Sequence, residues 1–292
     1  MSEVDAQTLP MRAAQVFSLC VACVLAIPAP LPGQEVTSLQ RVDGDSLRIK
    51  TYPVASGTCR GIAILSHGAG GSEEGLGYLA RAMSEDGYLA VVIGHPESGR
   101  QALQQRVRDA GIRGGLTALA SDTAAYRGRL MDVAAARAWA SARCKGKASV
   151  LLGHSMGAAT VMLEAGARNG VGVTGADSFD AYVALSPQGV GSLFPRGAWS
   201  RIHRPVLSIT GTRDAALGGT WQTRTEPFAG MSPGCKWLAV IEGATHLDFG
   251  GRGGAPLVED LTVRTIRAFL LGVRFGNCAA PAPVLGIELQ VK

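Results

Sequence analysis

The strongest constraint on this chain is a serine held between glycines. Gly153-His154-Ser155-Met156-Gly157 follows the apolar run Val150-Leu151-Leu152 and precedes Ala158-Ala159-Thr160-Val161-Met162-Leu163. That order predicts a buried strand, a tight elbow and a helix in immediate succession. The elbow lifts a serine hydroxyl off the end of a sheet. Its flanks must be small because the strand and helix backbones nearly touch there, and both flanking residues are glycine. In a chain with 39 glycines the bare pattern is a weak signal; the strand before it and the helix after it give it weight.

The same strand–helix rhythm runs through the rest of the chain. Gly61–Leu65, Tyr88–Ile93, Ala181–Leu185, Val206–Thr210 and Trp237–Ile241 are short apolar runs, which read as buried parallel strands. The run at Trp237 is read as the last strand, and Val36–Pro53 as antiparallel edge strands. Leu76, Leu79, Ala80 and Met83 recur at helical spacing with Gly87 as a stop. A helix from near Asp122 is expected to turn Met131, Ala135, Ala138, Trp139 and Ala142 to one side, and Val263, Ile266, Phe269 and Leu270 mark a closing helix. Residues 97–121 read as a polar, basic, glycine-containing excursion. The fold class implied is α/β: a mostly parallel, doubly wound sheet with helices on both faces and no large cap.

With 292 residues the chain is long enough for one large domain. Its first segment reads differently. Ala13–Ile27 is an apolar stretch behind Met11-Arg12 and ahead of a Pro/Gly-rich end. That is the pattern of a secretory signal, too short for a comfortable membrane span. Residues 1–33 are therefore expected to be an export signal and residues 34–292 the catalytic domain, with cleavage between about Pro30 and Gln34. A permanent N-terminal anchor is the competing reading. Periplasmic or extracellular localisation follows from the signal.

The formal net charge is +5, with some local density at Arg100, Arg106, Arg108 and Arg113. No basic run is interleaved with aromatics, so nucleic-acid binding is not indicated. Of the cysteines, Cys59, Cys144, Cys235 and Cys278 lie outside the signal, without metal spacing. An even number in an exported protein suggests disulfides. Cys59 and Cys144 both precede strands, at the amino-terminal edge of the sheet. Cys235 precedes a strand and Cys278 follows the last helix. The expected pairs are Cys59–Cys144 and Cys235–Cys278; four buried thiols are the alternative.

A serine hydroxyl needs a base to take its proton and a carboxylate to orient that base. There are five histidines. His67 opens the Gly-rich loop Ser66–Gly71, His95 ends a strand ahead of Pro96, and His154 is expected to point away from Ser155. His203 falls at the wrong edge of the sheet. His246, past the last strand in Gly243–Phe249, is the expected base. Asp214, ending Thr210-Gly211-Thr212-Arg213-Asp214, is the expected acid. Asp248 is its rival, whereas Asp177 and Asp180 precede a strand. An oxyanion would need backbone donors already in place. Met156 N–H and an N–H of the Ser66–Gly71 loop, best that of Ala69, are the candidates. Gly-rich loops also cradle phosphates, but no G-K-[ST] follows this one; the triad chemistry requires no metal or organic cofactor. Gly70, Gly71, His95, Pro96, Gln188, Phe249 and Trp221 are candidate pocket walls.

From about Gly61 to Leu271 the chain resembles the α/β-hydrolase superfamily. Leu65–Gly71 and Gly153–Thr160 resemble its dienelactone-hydrolase-like and platelet-activating-factor-acetylhydrolase-like branch. Members of that branch hydrolyse esters, often of short or oxidised acyl groups. The resemblance implies Ser155 as nucleophile, Asp214 as acid, His246 as base, and Ala69 and Met156 as oxyanion donors. It also implies that the strands at Ile62 and Val150 lie side by side, in keeping with a Cys59–Cys144 bond. Dienelactone hydrolases proper use a cysteine where this chain has Ser155. A weaker similarity reaches secreted cutinase-like polyester hydrolases, whose oxyanion tyrosine is replaced here by Ala69. The reading as a whole is a secreted serine carboxylesterase working through an acyl-enzyme. Its partner would be a small ester, with no nucleic acid and no stable membrane insertion after signal removal. The oligomeric state is left open. A lipase, phospholipase or polyester hydrolase, or a non-catalytic binding module of the same fold, are the alternatives.

Overall fold

The structure is a computed structural model that describes residues 33–216 and 219–292. The expected export signal, residues 1–33, lies outside the described residues apart from Gly33. Strands β1 (Glu35–Gln40), β2 (Ser46–Tyr52), β3 (Gly61–Ser66), β4 (Tyr88–Gly94), β5 (Ala148–His154), β6 (Ala181–Leu185), β7 (Val206–Arg213), β8 (Lys236–Thr245) and β9 (Ile287–Val291) form one sheet. Their order is β1-β2-β4-β3-β5-β6-β7-β8-β9. From β4 to β8 neighbouring strands run parallel, and β1, β2 and β9 pair antiparallel at the edges.

Side chains alternate across a strand, so each apolar run feeds two cores. Ile62 and Ile64 face the layer built with helices α3 (Thr123–Arg143) and α4 (Met156–Glu164). Ala63 and Leu65 face the layer built with α1 (Gly77–Glu85) and α7 (Pro256–Phe275). This two-sided burial is why the strands read as continuous apolar runs. The short helices α5 (Glu226–Gly230) and α6 (His246–Phe249) follow β7 and β8.

Both cysteine pairs are bonded, Cys59–Cys144 with Cα atoms 5.6 Å apart and Cys235–Cys278 with 5.2 Å. β3 and β5 are direct neighbours, which brings the first pair together.

Three sequence expectations need correction. The Trp237 strand is not the last, because β9 pairs with it along the sheet edge. The excursion at 97–121 is mostly helical, α2 spanning Arg100–Ala120. It breaks at Gly111 (φ 71°, ψ 173°), and a Cβ at Gly115 would stand 2.8 Å from Val107 N. Residues eight apart meet this closely only when a helix folds back, so α2 is a hairpin of two short helices. Finally, α3 turns Tyr126, Arg129, Asp132, Val133, Ala136 and Ala140 inward, while Ala138 and Ala142 are exposed. Two charged residues on the buried face conceal it from an apolar-periodicity reading.

Candidate active site

The elbow at β5–α4 has the geometry its glycines permit. Ser155 sits at φ 57°, ψ −115°, a conformation that L side chains rarely adopt. Its N–H donates to Leu185 O at 2.9 Å. A Cβ at Gly153 would run into the Gly157 carbonyl, and one at Gly157 into that of Ser66. Strand, helix and neighbouring loop are thus packed backbone to backbone.

His246 opens α6 directly after β8, and its Nε2 lies 3.0 Å from Ser155 Oγ. Its Nδ1 lies 2.9 Å from Asp214 Oδ1. Asp214, just past β7, is buried, and its other oxygen accepts from Thr210 Oγ1 at 3.0 Å. Burial pushes the Asp214 carboxyl up, but the His246 hydrogen bond and the Arg224 charge outweigh this and hold it below the usual carboxylate range. An ionised Asp214 fixes the proton on Nδ1 and leaves Nε2 facing the serine as an acceptor. The rival carboxylate is occupied elsewhere: Asp248 Oδ2 accepts from Thr245 N at 2.7 Å and Thr245 Oγ1 at 2.8 Å, a capping box on α6.

Two further residues brace this arrangement, and the sequence reading missed or misplaced both. Arg224, in a 3₁₀ turn at Trp221–Thr225, is 5% exposed. Its Nε lies 2.8 Å from Asp214 Oδ1 and from Asp214 O. The remaining donors reach the carbonyls of Ser186, Pro187 and Ala215. Nη2 also lies 3.1 Å from His246 Nδ1, but a nitrogen that donates to Asp214 cannot accept there, so the carbonyls are its partners. Nothing in the local sequence marks this arginine.

His154 was expected to point away from the serine. Instead its ring packs 4.7 Å from that of His246, and its Nε2–H donates to His246 O at 2.9 Å. Burial, with His246 adding to it, brings the His154 pKa down to about 3, so it is a neutral donor at ordinary pH.

Beside these residues opens a cavity of about 580 Å³. Ser155, His246, Ala69 and Gly68 line it, with apolar walls from Leu76, Leu116, Val190 and Leu193. Leu116 comes from the α2 hairpin. Of the expected pocket walls, Gly71 and Gln188 line the cavity, whereas Gly70, His95, Pro96, Phe249 and Trp221 do not. His95 is turned inward, bonded to Ser66 Oγ at 2.9 Å and Asp132 Oδ2 at 2.8 Å. Phe249 is fully buried in the core shared with α1 and α7. Gly70 faces the Leu103 side chain of α2. Met156 is the first residue of α4, where an N–H has no partner within the helix. Among the described residues Ala69 N–H has no acceptor either, whereas Gly70 N–H donates to Ser98 O and Gly71 N–H to Gly68 O. The described residues contain no cluster with metal-ligand character and no helix long and apolar enough to cross a membrane.

No protein-family model matches the chain, and no curated protein matches it. Solved structures do. The Pyrococcus furiosus esterase Pf2001 superposes with a TM-score of 0.57 at 15% identity, covering 82% of this chain and 92% of its own. Est1E from Butyrivibrio proteoclasticus gives 0.54 at 17%, covering 82% and 99%. An alpha-beta serine hydrolase homologue from Coxiella burnetii gives 0.53 at 18%, covering 79% and 96%. At these identities the likeness is one of architecture, and the architecture of this chain is the α/β-hydrolase fold, with no large cap among the described residues.

Proposed function

We propose that the protein is an exported serine carboxylesterase. The observation that carries the reading is the continuous contact from Asp214 Oδ1 through His246 to Ser155 Oγ, at 2.9 and 3.0 Å, ending on a serine in elbow geometry beside a cavity. Ser155 Oγ attacks the ester carbonyl while His246 Nε2 takes its proton, and Asp214 stabilises the resulting imidazolium. The carbonyl oxygen gathers negative charge between the N–H groups of Ala69 and Met156. Collapse of the tetrahedral adduct expels the alcohol, protonated by His246. Water, activated by the same imidazole, then hydrolyses the acyl-enzyme. No step calls on a cofactor.

The esterase descriptions of the Pyrococcus structure and its like support this reading by fold; the sequences of the Ser66–Gly71 loop and the elbow support a relationship to the dienelactone-hydrolase-like branch. The largely apolar lining of the cavity favours an apolar acyl group. Two disulfides support export, since such bonds persist in oxidising compartments.

The test is hydrolysis of short p-nitrophenyl esters by Ser155→Ala. We expect a loss of about three orders of magnitude or more, because triad members act as a unit. A fluorophosphonate probe is expected to label Ser155. Failure to label, with no turnover of any ester, would leave a binding module of the same fold as the better reading.

A further inference from the structure

Beneath the Ser66–Gly71 loop lies a polar network that the chemistry above leaves unused. At its centre Arg129 is fully buried. Its Nε donates to Ser98 Oγ at 2.7 Å, and Nη1 donates to Ser66 Oγ at 3.1 Å and to His67 O at 2.8 Å. Nη2 stands 3.5 Å from Gly68 O. That last carbonyl also accepts from His67 Nδ1–H at 2.6 Å and from Gly71 N–H at 3.1 Å. His67 Nε2 accepts the N–H of His95 at 3.1 Å, which fixes His67 as the Nδ1–H tautomer.

The proton directions behind Arg129 follow in the same way. Ser66 Oγ accepts from Arg129, so its own O–H donates to His95 Nε2, and His95 Nδ1–H donates to Asp132 Oδ2. Asp132 Oδ1 is paired with Arg41 at 3.3 Å. Ser66, His95 and Asp132 thus repeat the residue types of a triad. All three are essentially sealed from solvent and none lines the cavity, so the serine has no access to an ester. Its role has to be structural, and what it supports is Arg129.

Across a trans peptide the N–H points opposite to the C=O. Arg129 holds the carbonyl of His67 from below at 2.8 Å, and the carbonyl of Gly68 is held on the same side chiefly by His67 Nδ1–H, with Arg129 at 3.5 Å. The N–H groups of Gly68 and Ala69 therefore point the other way, toward the cavity that both residues line. The next two N–H groups of the loop are already engaged, Gly70 with Ser98 O and Gly71 with Gly68 O. Burial brings the Arg129 pKa down to about 10, so it is a cation near neutrality.

Resting on the esterase reading, we propose that Arg129 is the positioning residue of the oxyanion hole. It fixes the 67–68 peptide plane directly and, through the His67 segment whose imidazole holds Gly68 O, the 68–69 plane, so that Ala69 N–H, with Met156 N–H, meets the developing oxyanion. It touches neither the substrate nor the reacting atoms.

The experiment compares wild type, Arg129→Lys, Arg129→Met and the milder Ser98→Ala and Ser66→Ala, each checked for folding by circular dichroism and thermal melting. The readouts are kcat and KM on a short p-nitrophenyl ester, and inhibition by a trifluoromethyl ketone, whose adduct with Ser155 carries the oxyanion. Expected for Arg129→Met is a fall in kcat of about a hundredfold, the scale of losing one oxyanion donor, with KM within about twofold. Ketone affinity should fall in parallel. Arg129→Lys should recover part of the loss, and Ser98→Ala should show a several-fold fall of the same kind. Should Arg129→Met not fold, the two serine variants carry the test. Folded variants with unchanged kcat and unchanged ketone affinity would overturn the proposal while leaving the esterase reading intact. A rise in KM alone would overturn it too. A wild-type protein that neither turns over esters nor reacts with a fluorophosphonate would overturn both.

Discussion

The imidazole of His154 donates to the main-chain carbonyl of His246, so the residue before the serine holds the residue that faces the serine. The elbow and the His246 loop are thereby tied at a point 2.9 Å long. Replacing His154 by Ala should leave a partly buried carbonyl unpaired, at about 1–3 kcal/mol of stability, and should free the His246 loop. We expect kcat to drop about tenfold or more with a lowered melting temperature. His154→Gln, which retains an N–H donor, should recover part of both. Steady-state kinetics alongside calorimetry would check this; an unchanged kcat in the Ala variant would remove His154 from any positioning role.

Asp214 and Asp248 are two residues either side of a comparison that mutagenesis can decide. Asp214→Asn should lower kcat by about three to four orders of magnitude, since an amide no longer dictates the His246 tautomer. Asp248→Asn disturbs a helix cap, so it should lower stability by about 1 kcal/mol and leave kcat within a few-fold. Reversed outcomes would reassign the acid.

Acid stability should be set by three buried histidines opposed by one buried carboxyl, that of Asp132, which burial raises to about 7. Burial holds His67 and His95 well below the usual imidazole range and His154 at about 3. The unfolded chain takes up these protons near pH 6.5, and the folded chain does not. Unfolding therefore binds protons below that pH. Their contribution is complete above about pH 6.5 and is lost as pH falls toward the folded values. Asp132 holds its proton in the folded chain and loses it on unfolding in the same window, so the net uptake is about two protons and the slope approaches about 3 kcal/mol per pH unit, at ~1.4 per proton. Urea midpoints between pH 5 and 8 would measure it, and His154→Gln should flatten the slope by about half.

Leu116 places one wall of the cavity on the α2 hairpin. Leu116→Trp should shorten the longest acyl chain accepted. On a series of esters from two to sixteen carbons, kcat/KM for the longer members should fall by ten- to a hundredfold relative to acetate, the scale of losing a few buried methylenes. A parallel fall across the whole series would instead mean that the hairpin had been displaced.

The sequence carries the residues whose roles depend on local order. Ser155 is marked by its elbow, and His246 and Asp214 by standing just past strands that a parallel sheet must align. Arg224 and Arg129 are silent for the opposite reason. An arginine in a turn or on a helix reads as solvated, and its burial depends on acceptors supplied from distant segments. Those same buried charges obscure the inward face of α3, where Arg129 and Asp132 interrupt the apolar stripe. The hairpin at 100–120 shows no stripe because its glycines serve a reversal. β9 is a five-residue edge strand, alternating Ile287, Leu289 and Val291 with exposed polar residues, too short to register against the loop before it. His95 and Phe249 fail as pocket walls because position at a strand end fixes the height of a residue along the sheet, not the direction of its side chain.

Cys59 and Cys144 lie just ahead of β3 and β5, and Cys235 just ahead of β8, whereas Ser155 and His246 follow the far ends of β5 and β8. Dithiothreitol would act at the opposite pole of the sheet from Ser155 and His246. Inactivation by reductant should therefore show a lag and track melting, with early samples retaining full turnover, and material made in a reducing cytosol should be short-lived rather than chemically incompetent.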